Sequence, residues 1–292
     1  MWANSRWQQS FFTADAKSKD YLAQYGQVFN AVEGNTSFYA TPSAQQVDTW
    51  LEQSSSHFRF CFKLPKSVTH SRAGFQTDEL SDFFARLEPL GERLGPFMLQ
   101  LPPHISFEAL ADIKRFLSHL PAQFEYTLEL RHQSFFERDE NEKVLNQILQ
   151  RLHIDRMSFD TRALFDKAAL QSEAIADARA KKPRFAPRAY AFAKHPSIRF
   201  IGFPWLDDAK EEEVDRAINH SLKYFTPWLE HISSWLKEGK EPYLFIHTAD
   251  NAHAPRLAYA IYDYLQQGIP ALVDLTRTPK ERADEQGQIG LF

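Results

Sequence analysis

Strand-like and helix-like segments alternate along most of this chain of 292 residues. The strand-like segments are rich in β-branched and aromatic residues. They span 28–35, 58–65, 97–102, 124–131, 155–162, 197–204 and 242–250. A helical pattern follows each of them except 155–162, which leads into a long irregular insert. Strands alternating with helices of this length predict parallel βαβ units and an α/β fold.

The number of these units favours a closed sheet over an open one. Without an internal repeat or a long linker, we expect a single TIM (β/α)8-type barrel over 1–268. The insert at 163–196 would form a lid, and 269–292 a C-terminal tail. Only "MWA" is available for the first strand. We therefore expect that strand to be truncated or missing and the true start codon to lie upstream, because an open edge would invite aggregation.

Composition narrows the class of protein. The net charge of −4 excludes a globally basic nucleic-acid binder, and the single cysteine excludes an internal disulfide framework. There is no apolar run of 18 residues, and the N-terminus lacks the pattern of a signal peptide. These observations predict a cytoplasmic protein without a membrane span.

Polar side chains recur at the carboxyl-terminal ends of the predicted strands. In "YTLELRH" (126–132), for example, Glu129 and Arg131 share one face and Leu128 and Leu130 the other, because side chains alternate along a strand. The polar positions found in this way are Glu33, Asn35, Lys63, Gln100, Glu129, Arg131, Asp160, Arg162, Arg199, His247 and Asp250. In TIM barrels these ends line the active site, so the pattern favours a site over ion pairs that only satisfy one another.

The opposite strand faces are apolar and suit packing against the outer helices. These residues are Phe58, Phe60, Phe62, Phe97, Leu99, Leu101, Leu128, Leu130, Met157 and Phe159.

Several blocks resemble one known family. "VEGNTSFYATPSAQQVDTW", "FRFCFKLPKSVTH", "GPFMLQLPP", "LELRHQSFF" and "IRFIGF" are similar to the YecE-like family, which is catalogued as domain-of-unknown-function family 72. The resemblance implies a TIM-barrel fold and a pocket, but no reaction. The pocket it implies comprises Glu33, Asn35, Phe38, Tyr39, Lys63, His70, Gln100, Glu129, Arg131, His132, Asp160 and Arg199. Many members have His in place of Ile201 and an Asn pair near His247, so a polar role for these two strands stays open.

The charges in this pocket suit an anionic substrate. Lys63, Arg131 and Arg199 would converge, and arginine binds phosphate or carboxylate in a bidentate manner. We assign substrate binding to Asn35, Tyr39, Lys63, Gln100, Arg131, Arg199 and His247. Acid–base catalysis would fall to Glu33, His70, Glu129, His132 and Asp160. The sequence predicts a hydrolase or lyase for a phosphate-bearing or nucleic-acid-derived substrate, and the alternative is a non-catalytic binding module.

The cofactor is unknown, and a divalent metal is the rival interpretation. Mn²⁺ or Zn²⁺ ligands would come from Glu33, His70, Glu129, Asp160 and His247. The strands have no HxH or HxxxH spacing, and nearby Lys and Arg would repel a cation.

Two further segments suggest partners. The stretch from Arg179 to Leu206 contains seven Lys or Arg and no acidic residue, and it has interspersed aromatic residues, which suits nucleic acid. An alternative is a basic helix end that complements the helix dipole. The terminal "QIGLF" resembles the bacterial sliding-clamp motif, with Gln288, Ile289, Leu291 and Phe292 as contacts on a flexible tail.

Overall fold

A computed structural model describes residues 2–71, 74–169, 172–206 and 208–289, the last five as backbone only. Helices and strands alternate, as an α/β class requires. The strands are β1 (Ala31–Gly34), β2 (Arg59–Phe62), β3 (Phe97–Gln100), β4 (Tyr126–Glu129), β5 (Asp155–Arg156), β6 (Ser158–Asp160), β7 (Ser197–Ile201) and β8 (Tyr243–His247). The α-helices are α1 (Tyr21–Tyr25), α2 (Ala44–Gln53), α3 (Lys66–Thr69), α4 (Leu80–Leu87), α5 (Leu110–Ser118), α6 (Glu140–Arg151), α7 (Glu173–Lys181), α8 (Glu211–Lys237), α9 (Ala254–Gly268) and α10 (Pro279–Ile289). Short 3-10 helices span Ser5–Trp7, Thr36–Phe38, Glu88–Arg93, Phe107–Ala109 and Gln133–Phe135.

The strands form three small parallel sheets, so the predicted closed TIM barrel is wrong. In the described part of the chain, the sheets have the orders β1-β2, β3-β4-β5 and β6-β7-β8. Only isolated bridge pairs, Phe60 with Leu94 and Lys63 with Met98, connect β2 to the β3 region. The reason is strand length: segments of two to five residues offer few ladder hydrogen bonds, and the ladder stops where the backbone diverges.

The apolar core lies between the strands and the helices that follow them. Phe60 and Phe62 of β2 are fully buried, and the Trp50 ring of α2 stacks on Phe62 with ring centroids 5.2 Å apart. On β7, Phe200 meets Phe225 of α8 edge to face at 5.3 Å. Each buried aromatic side chain contributes about 1.5–3 kcal/mol, which is why the phenylalanine-rich strands fix the positions of the helices.

The segment predicted as one strand at 155–162 divides into β5 and β6, with Met157 between them. The faces of this segment are the reverse of those predicted. Met157 and Phe159 cluster with Cys61 and Met98 on the inner side, whereas Arg156 contacts Asn146 of α6 and Asp160 contacts Trp228 of α8. The prediction that Met157 and Phe159 pack against outer helices is therefore wrong: alternation separates the two faces of a strand but does not show which of them faces inward.

The C-terminal segment contains a helix where the sequence predicted a flexible tail. Thr278 and Glu281 form a reciprocal cap at the start of α10: the Thr278 backbone N–H donates to Glu281 Oε2 at 2.9 Å, and the Glu281 N–H donates to Thr278 Oγ1 at 3.1 Å. The predicted clamp contacts at Gln288 and Ile289 fall at the end of α10, and Leu291 and Phe292 lie outside the described residues. The clamp motif therefore stays a prediction.

Among the described residues, no helix combines the length and the apolar character that crossing a bilayer requires.

Candidate functional site

The carboxyl-terminal ends of strands from all three sheets bring six predicted site residues together. Parallel strands place these ends on one side, and the register puts Glu33 of β1 level with Cys61 and Gln100 of β3 level with Glu129 of β4. Direct hydrogen bonds or ion pairs then join the six side chains. We call this group the charged cluster; its members are Glu33, Lys63, Gln100, Glu129, Arg131 and Arg199.

Arg199 of β7 lies between the two carboxylates of the charged cluster. One guanidinium nitrogen donates to Glu33 Oε2 at 2.7 Å, and the other donates to Glu129 Oε2. The guanidinium also lies over the Phe159 ring, 5.6 Å from its centroid. Arg199 is only 2% exposed, so these contacts replace the water that the buried cation has lost.

Lys63 and Arg131 approach the same carboxylates from the other side. The Lys63 ammonium lies 3.0 Å from Glu33 Oε1 and donates to Gln100 Oε1 at 3.1 Å. Arg131 donates to Glu129 Oε1 at 2.7 Å and to the same Gln100 oxygen at 3.1 Å. Gln100 thus accepts from two cations, and three cations surround two carboxylates.

These contacts keep both carboxylates ionised. Burial opposes the charge on Glu33, but Arg199 and Lys63 outweigh it and hold the pKa of Glu33 well below its usual range. For Glu129, burial is likewise outweighed by Arg199 and Arg131, which lower its pKa to about 2. The same carboxylates raise the pKa of Arg199 despite its burial. At neutral pH the two glutamates therefore hold cations in place and have no proton to donate.

Two histidines near the charged cluster stay neutral. His247 Nε2 lies 3.4 Å from Glu33 Oε2, and its Nδ1 is 3.0 Å from Asn251 Oδ1. Burial lowers the pKa of His247 in spite of this carboxylate. His70 packs edge to face on Phe38, and burial, Lys66 and Arg131 lower its pKa to about 4. Neutral imidazoles are available as proton acceptors.

Asp160, predicted to be catalytic, lies away from the charged cluster. Trp228 Nε1 and Arg162 both donate to Asp160 Oδ2, at 2.8 and 2.7 Å, on the outer side of β6. Asp160 therefore lies on the face opposite to the one predicted.

Three other predicted residues occupy the periphery. His132 accepts the Ser134 backbone N–H at its Nδ1 and caps the 3-10 helix Gln133–Phe135. Tyr39 is 80% exposed and packs on Phe38. Asn35 lines the same cavity, of about 790 Å³, as Glu33 and His247. His132 and Tyr39 therefore lie outside the charged cluster, whereas Asn35 shares a cavity with its member Glu33.

Lys182, which sequence reasoning placed in the lid and not among the site residues, lies beside the charged cluster. It interacts electrostatically with Arg199, Glu129, Arg131 and Glu33. Within the described residues, its ammonium has no hydrogen bond and no ion pair closer than 4.0 Å. Burial and Arg199 lower the pKa of Lys182 to about 8. The only signal in the sequence was its position in the basic segment that follows β6.

Several other basic and aromatic side chains of that segment have partners within the protein. Arg188 lies 3.5 Å from Glu142, and Lys194 lies 3.0 Å from Glu241. Phe185 stacks on Phe136 with centroids 4.2 Å apart. These side chains are engaged within the protein, which argues against their use as a base-stacking platform.

The predicted metal ligands do not assemble. Among residues 2–71, 74–169, 172–206 and 208–289, no group of three or more His, Cys, Asp or Glu is placed to hold a metal ion. Glu33 and Glu129 are instead occupied by arginine and lysine.

Comparison with known proteins assigns the family. The model of the family described as "Protein of unknown function DUF72" matches residues 1–283. The chain belongs to the DUF72 family. The DUF72 region includes every member of the charged cluster and also Lys182. A curated relative, the UPF0759 protein YecE of Escherichia coli (strain K12), is 35% identical over 281 residues, which cover 96% of each chain.

Two solved DUF72 structures share the fold. A protein of Enterococcus faecalis V583 aligns with a TM-score of 0.63 at 16% identity and covers 94% of both chains. A protein of Thermotoga maritima MSB8 aligns with a TM-score of 0.61 at 19% identity, over 91% of this chain and 96% of the other. At these identities the likeness concerns the fold alone.

Proposed function

We propose that the charged cluster and Lys182 form an anion-binding pocket in which this DUF72 protein acts as a hydrolase or lyase on a phosphate-bearing or nucleic-acid-derived molecule. The supporting observation is the charge balance. Lys63, Arg131, Arg199 and Lys182 outnumber the carboxylates Glu33 and Glu129. A bound anion would compensate the excess positive charge in a site where water is largely excluded.

In this proposal, the cationic side chains closest to solvent bind the anion. Arg199 is only 2% exposed and its two terminal nitrogens are paired with carboxylates, whereas Arg131 is 19% exposed and Lys63 is 11% exposed. An incoming anion would thus meet Arg131 and Lys182 first, while Arg199 fixes the carboxylates beneath them. Glu33 and Glu129 are each paired with cations and stay ionised. We therefore assign proton transfer to His247 and His70, which are neutral at pH 7.

The alternative is a binding module that holds an anion without turnover. It would use the same cations but would not need a neutral imidazole. The variant His247→Gln distinguishes an enzyme from a binding module. If the variant binds the anion as tightly as the parent protein but loses the parent's turnover, the protein is an enzyme. If both proteins bind the anion equally and neither turns it over, the protein is a binding module.

Calorimetry with inorganic pyrophosphate tests anion binding. We expect Lys182→Met and Arg131→Met each to weaken affinity by about tenfold or more, since a charged hydrogen bond is worth about 1.5–3 kcal/mol. Lys181→Met is the matched control, because the neighbouring Lys181 is exposed and paired with Asp177 at 2.7 Å. Absence of binding at low salt, or equal loss in the control, would refute the proposal.

We also propose that "QIGLF" tethers the chain to the DNA sliding clamp. The resemblance of residues 288–292 to the clamp-binding motif supports this, with Gln288 and Ile289 at the end of α10. Removing residues 288–292 should abolish clamp binding in a pull-down with purified clamp, and unchanged binding would exclude the motif.

A further inference from the structure

We propose that the rings of Phe38, Tyr39 and His70 form an aromatic platform at the rim of the charged cluster, and that this aromatic platform stacks a nucleobase. This inference rests on the proposed function, because the cations of the charged cluster would hold the phosphate of the same ligand. It narrows the substrate class to a base next to a phosphate, as in a free nucleotide or at the end of a nucleic-acid strand.

The aromatic platform follows two of the strands that lead into the charged cluster. The 3-10 helix Thr36–Phe38 comes directly after β1, which carries Glu33, and His70 follows α3, the first helix after β2. Strands β1 and β2 are parallel neighbours, so their carboxyl-terminal ends lie on the same side of the sheet. The rings are therefore at the end of the sheet where the charged cluster lies.

Phe38 connects the aromatic platform to the charged cluster directly. The Lys63 ammonium lies over the Phe38 ring, 5.9 Å from its centroid. The same ammonium lies 3.0 Å from Glu33 Oε1 and donates to Gln100 Oε1 at 3.1 Å. A cation over an aromatic face is attracted by the ring quadrupole. A phosphate at Lys63 and a base on the rings are thus close enough to belong to one small ligand.

The residue before Phe38 holds its backbone in place. Ser37 is buried, and its hydroxyl oxygen lies 2.9 Å from the Gly34 carbonyl oxygen and 2.8 Å from the Lys63 carbonyl oxygen. The Phe38 N–H donates to the Asn35 carbonyl at 3.2 Å. These contacts tie the 3-10 helix to the ends of both strands. A surface that is formed before the ligand arrives loses less conformational entropy on binding.

Tyr39 provides the open ring of the aromatic platform. It is 80% exposed, whereas every other Phe, Tyr or Trp side chain in the described part of the chain is buried or half-buried. It packs edge to face on Phe38, with ring centroids 5.3 Å apart. Single apolar side chains on a surface are common, but this one adjoins a pocket of cations. Cations beside an open aromatic ring are the arrangement that binds phosphate and stacks a base.

His70 completes the aromatic platform from the side of β2. Its ring meets Phe38 edge to face at 5.0 Å, and its Nδ1 lies 2.8 Å from the Thr69 hydroxyl oxygen. The His70 N–H donates to the Lys66 carbonyl at 2.8 Å. Because its pKa is about 4, the imidazole is uncharged at neutral pH and adds a flat aromatic surface.

Calorimetry with adenosine monophosphate and ribose 5-phosphate tests the base contact, because only the first ligand carries a base. We expect the parent protein to bind adenosine monophosphate about tenfold or more tightly than ribose 5-phosphate, as stacking of one base allows. Inorganic pyrophosphate should compete with both ligands. Arg131→Met should weaken both to the same extent, since it removes a contact to the phosphate.

Two substitutions at Tyr39 separate stacking from other contacts. Tyr39→Ala should reduce the affinity for adenosine monophosphate to that for ribose 5-phosphate and leave ribose 5-phosphate unchanged. Tyr39→Phe is the matched control and should retain the parent affinities, because it keeps the ring. At so exposed a position neither change should move the urea midpoint. Equal affinity of the parent for the two ligands, or a loss in Tyr39→Phe as large as in Tyr39→Ala, would overturn the inference.

A second arm identifies the source of the nucleotide. A short single-stranded oligonucleotide with a 5′ phosphate offers the same base next to a phosphate. If the oligonucleotide binds more tightly than adenosine monophosphate and Tyr39→Ala weakens it, the ligand is the end of a nucleic-acid strand. If adenosine monophosphate alone gains affinity from its base, the ligand is a free nucleotide.

The same titrations distinguish failure of this inference from failure of the proposed function. If pyrophosphate binds but neither adenosine monophosphate nor the oligonucleotide gains affinity from a base, only the aromatic platform fails and anion binding stands. If pyrophosphate does not bind at low salt, the proposed function itself fails.

Discussion

Arg199 is the residue that joins the three sheets at the charged cluster. It belongs to β7 and contacts Glu33 of β1 and Glu129 of β4. No ladder connects these strands directly in the described part of the chain. The buried guanidinium bridges two carboxylates and thus helps to hold the three sheets together where backbone hydrogen bonds do not. Buried ions of this kind are costly unless each has its partner.

Replacing Arg199 by Met should therefore lower the free energy of unfolding by about 3–5 kcal/mol, because two buried carboxylates lose a common cation. Urea denaturation measures this loss. Adding Glu33→Gln and Glu129→Gln to the same chain should recover part of it, since neutral amides need no counter-charge. Arg115→Met is the control, because its exposed ion pair with Asp112 is worth about 0.5 kcal/mol or less. A loss for Arg199→Met no larger than for the control would contradict this role.

The sequence was a good guide to the membership of the charged cluster and a poor guide to the roles of its members. Alternation along "YTLELRH" correctly placed Glu129 and Arg131 on one face, where they form an ion pair. It did not reveal that both glutamates are neutralised by cations, because this depends on contacts between residues as distant as Glu33 and Arg199. Lys182 was not predicted as a site residue for a related reason. Its position depends on how the insert at 163–196 packs on the strands, and local sequence patterns do not encode this packing.

At the scale of elements, periodicity located the strands and misjudged their continuity. Each predicted strand segment contains an observed strand, but the segment at 155–162 holds two. Alternation separated the two faces of that segment but did not show which of them faces inward, so Asp160 was assigned to the wrong face. Helix α10 was missed because it is polar throughout, and a helix held by its cap and by local contacts shows no apolar stripe.

The cap at Thr278 offers a test of how α10 is held. Thr278→Ala removes the acceptor for the Glu281 N–H and should cost about 1 kcal/mol of local stability. Hydrogen exchange should then show faster exchange within 279–289 than in the parent chain. Thr49→Ala in α2 is the control, since its exposed hydroxyl donates to the Gln45 carbonyl of its own helix. Unchanged exchange in 279–289 would show that the contact between the Lys280 N–H and the Phe11 carbonyl, at 3.2 Å, suffices to hold the helix.

At the scale of the whole molecule, three short sheets share one polar centre. The order of strands and helices predicts an α/β class, and the observed parallel sheets and alternating helices agree with it. Closure of the sheet was not predictable, because it depends on ladders between strands far apart in sequence, and segments of two to five residues do not guarantee those ladders. The charged cluster therefore contributes to tertiary structure as well as to the proposed binding site.

The stability of the whole protein should consequently decline in acid in two steps. In the folded state the pKa of His70 is about 4, below its ordinary value of 6.5. The unfolded chain therefore takes up this proton first, and stability falls as the pH drops from about 6.5 to about 4. For Glu129 the folded pKa is about 2, below the ordinary 4.5. Its contribution is fully present above that ordinary value and is lost as the pH approaches 2.

Urea midpoints measured from pH 7 down to pH 3 separate the two steps. His70→Gln should reduce the decline between pH 6.5 and 4 and leave the lower step, because glutamine cannot take up the proton that favours the unfolded chain. The part of the decline that remains belongs to groups such as His247, whose pKa burial also lowers. His57→Gln, at an exposed histidine outside the charged cluster, should retain the full profile of the parent. A midpoint for the parent protein that stays constant from pH 7 to pH 4 would show that His70 titrates alike in both states. The low pKa of His70, and with it the neutral imidazole assigned to this site, would then be wrong.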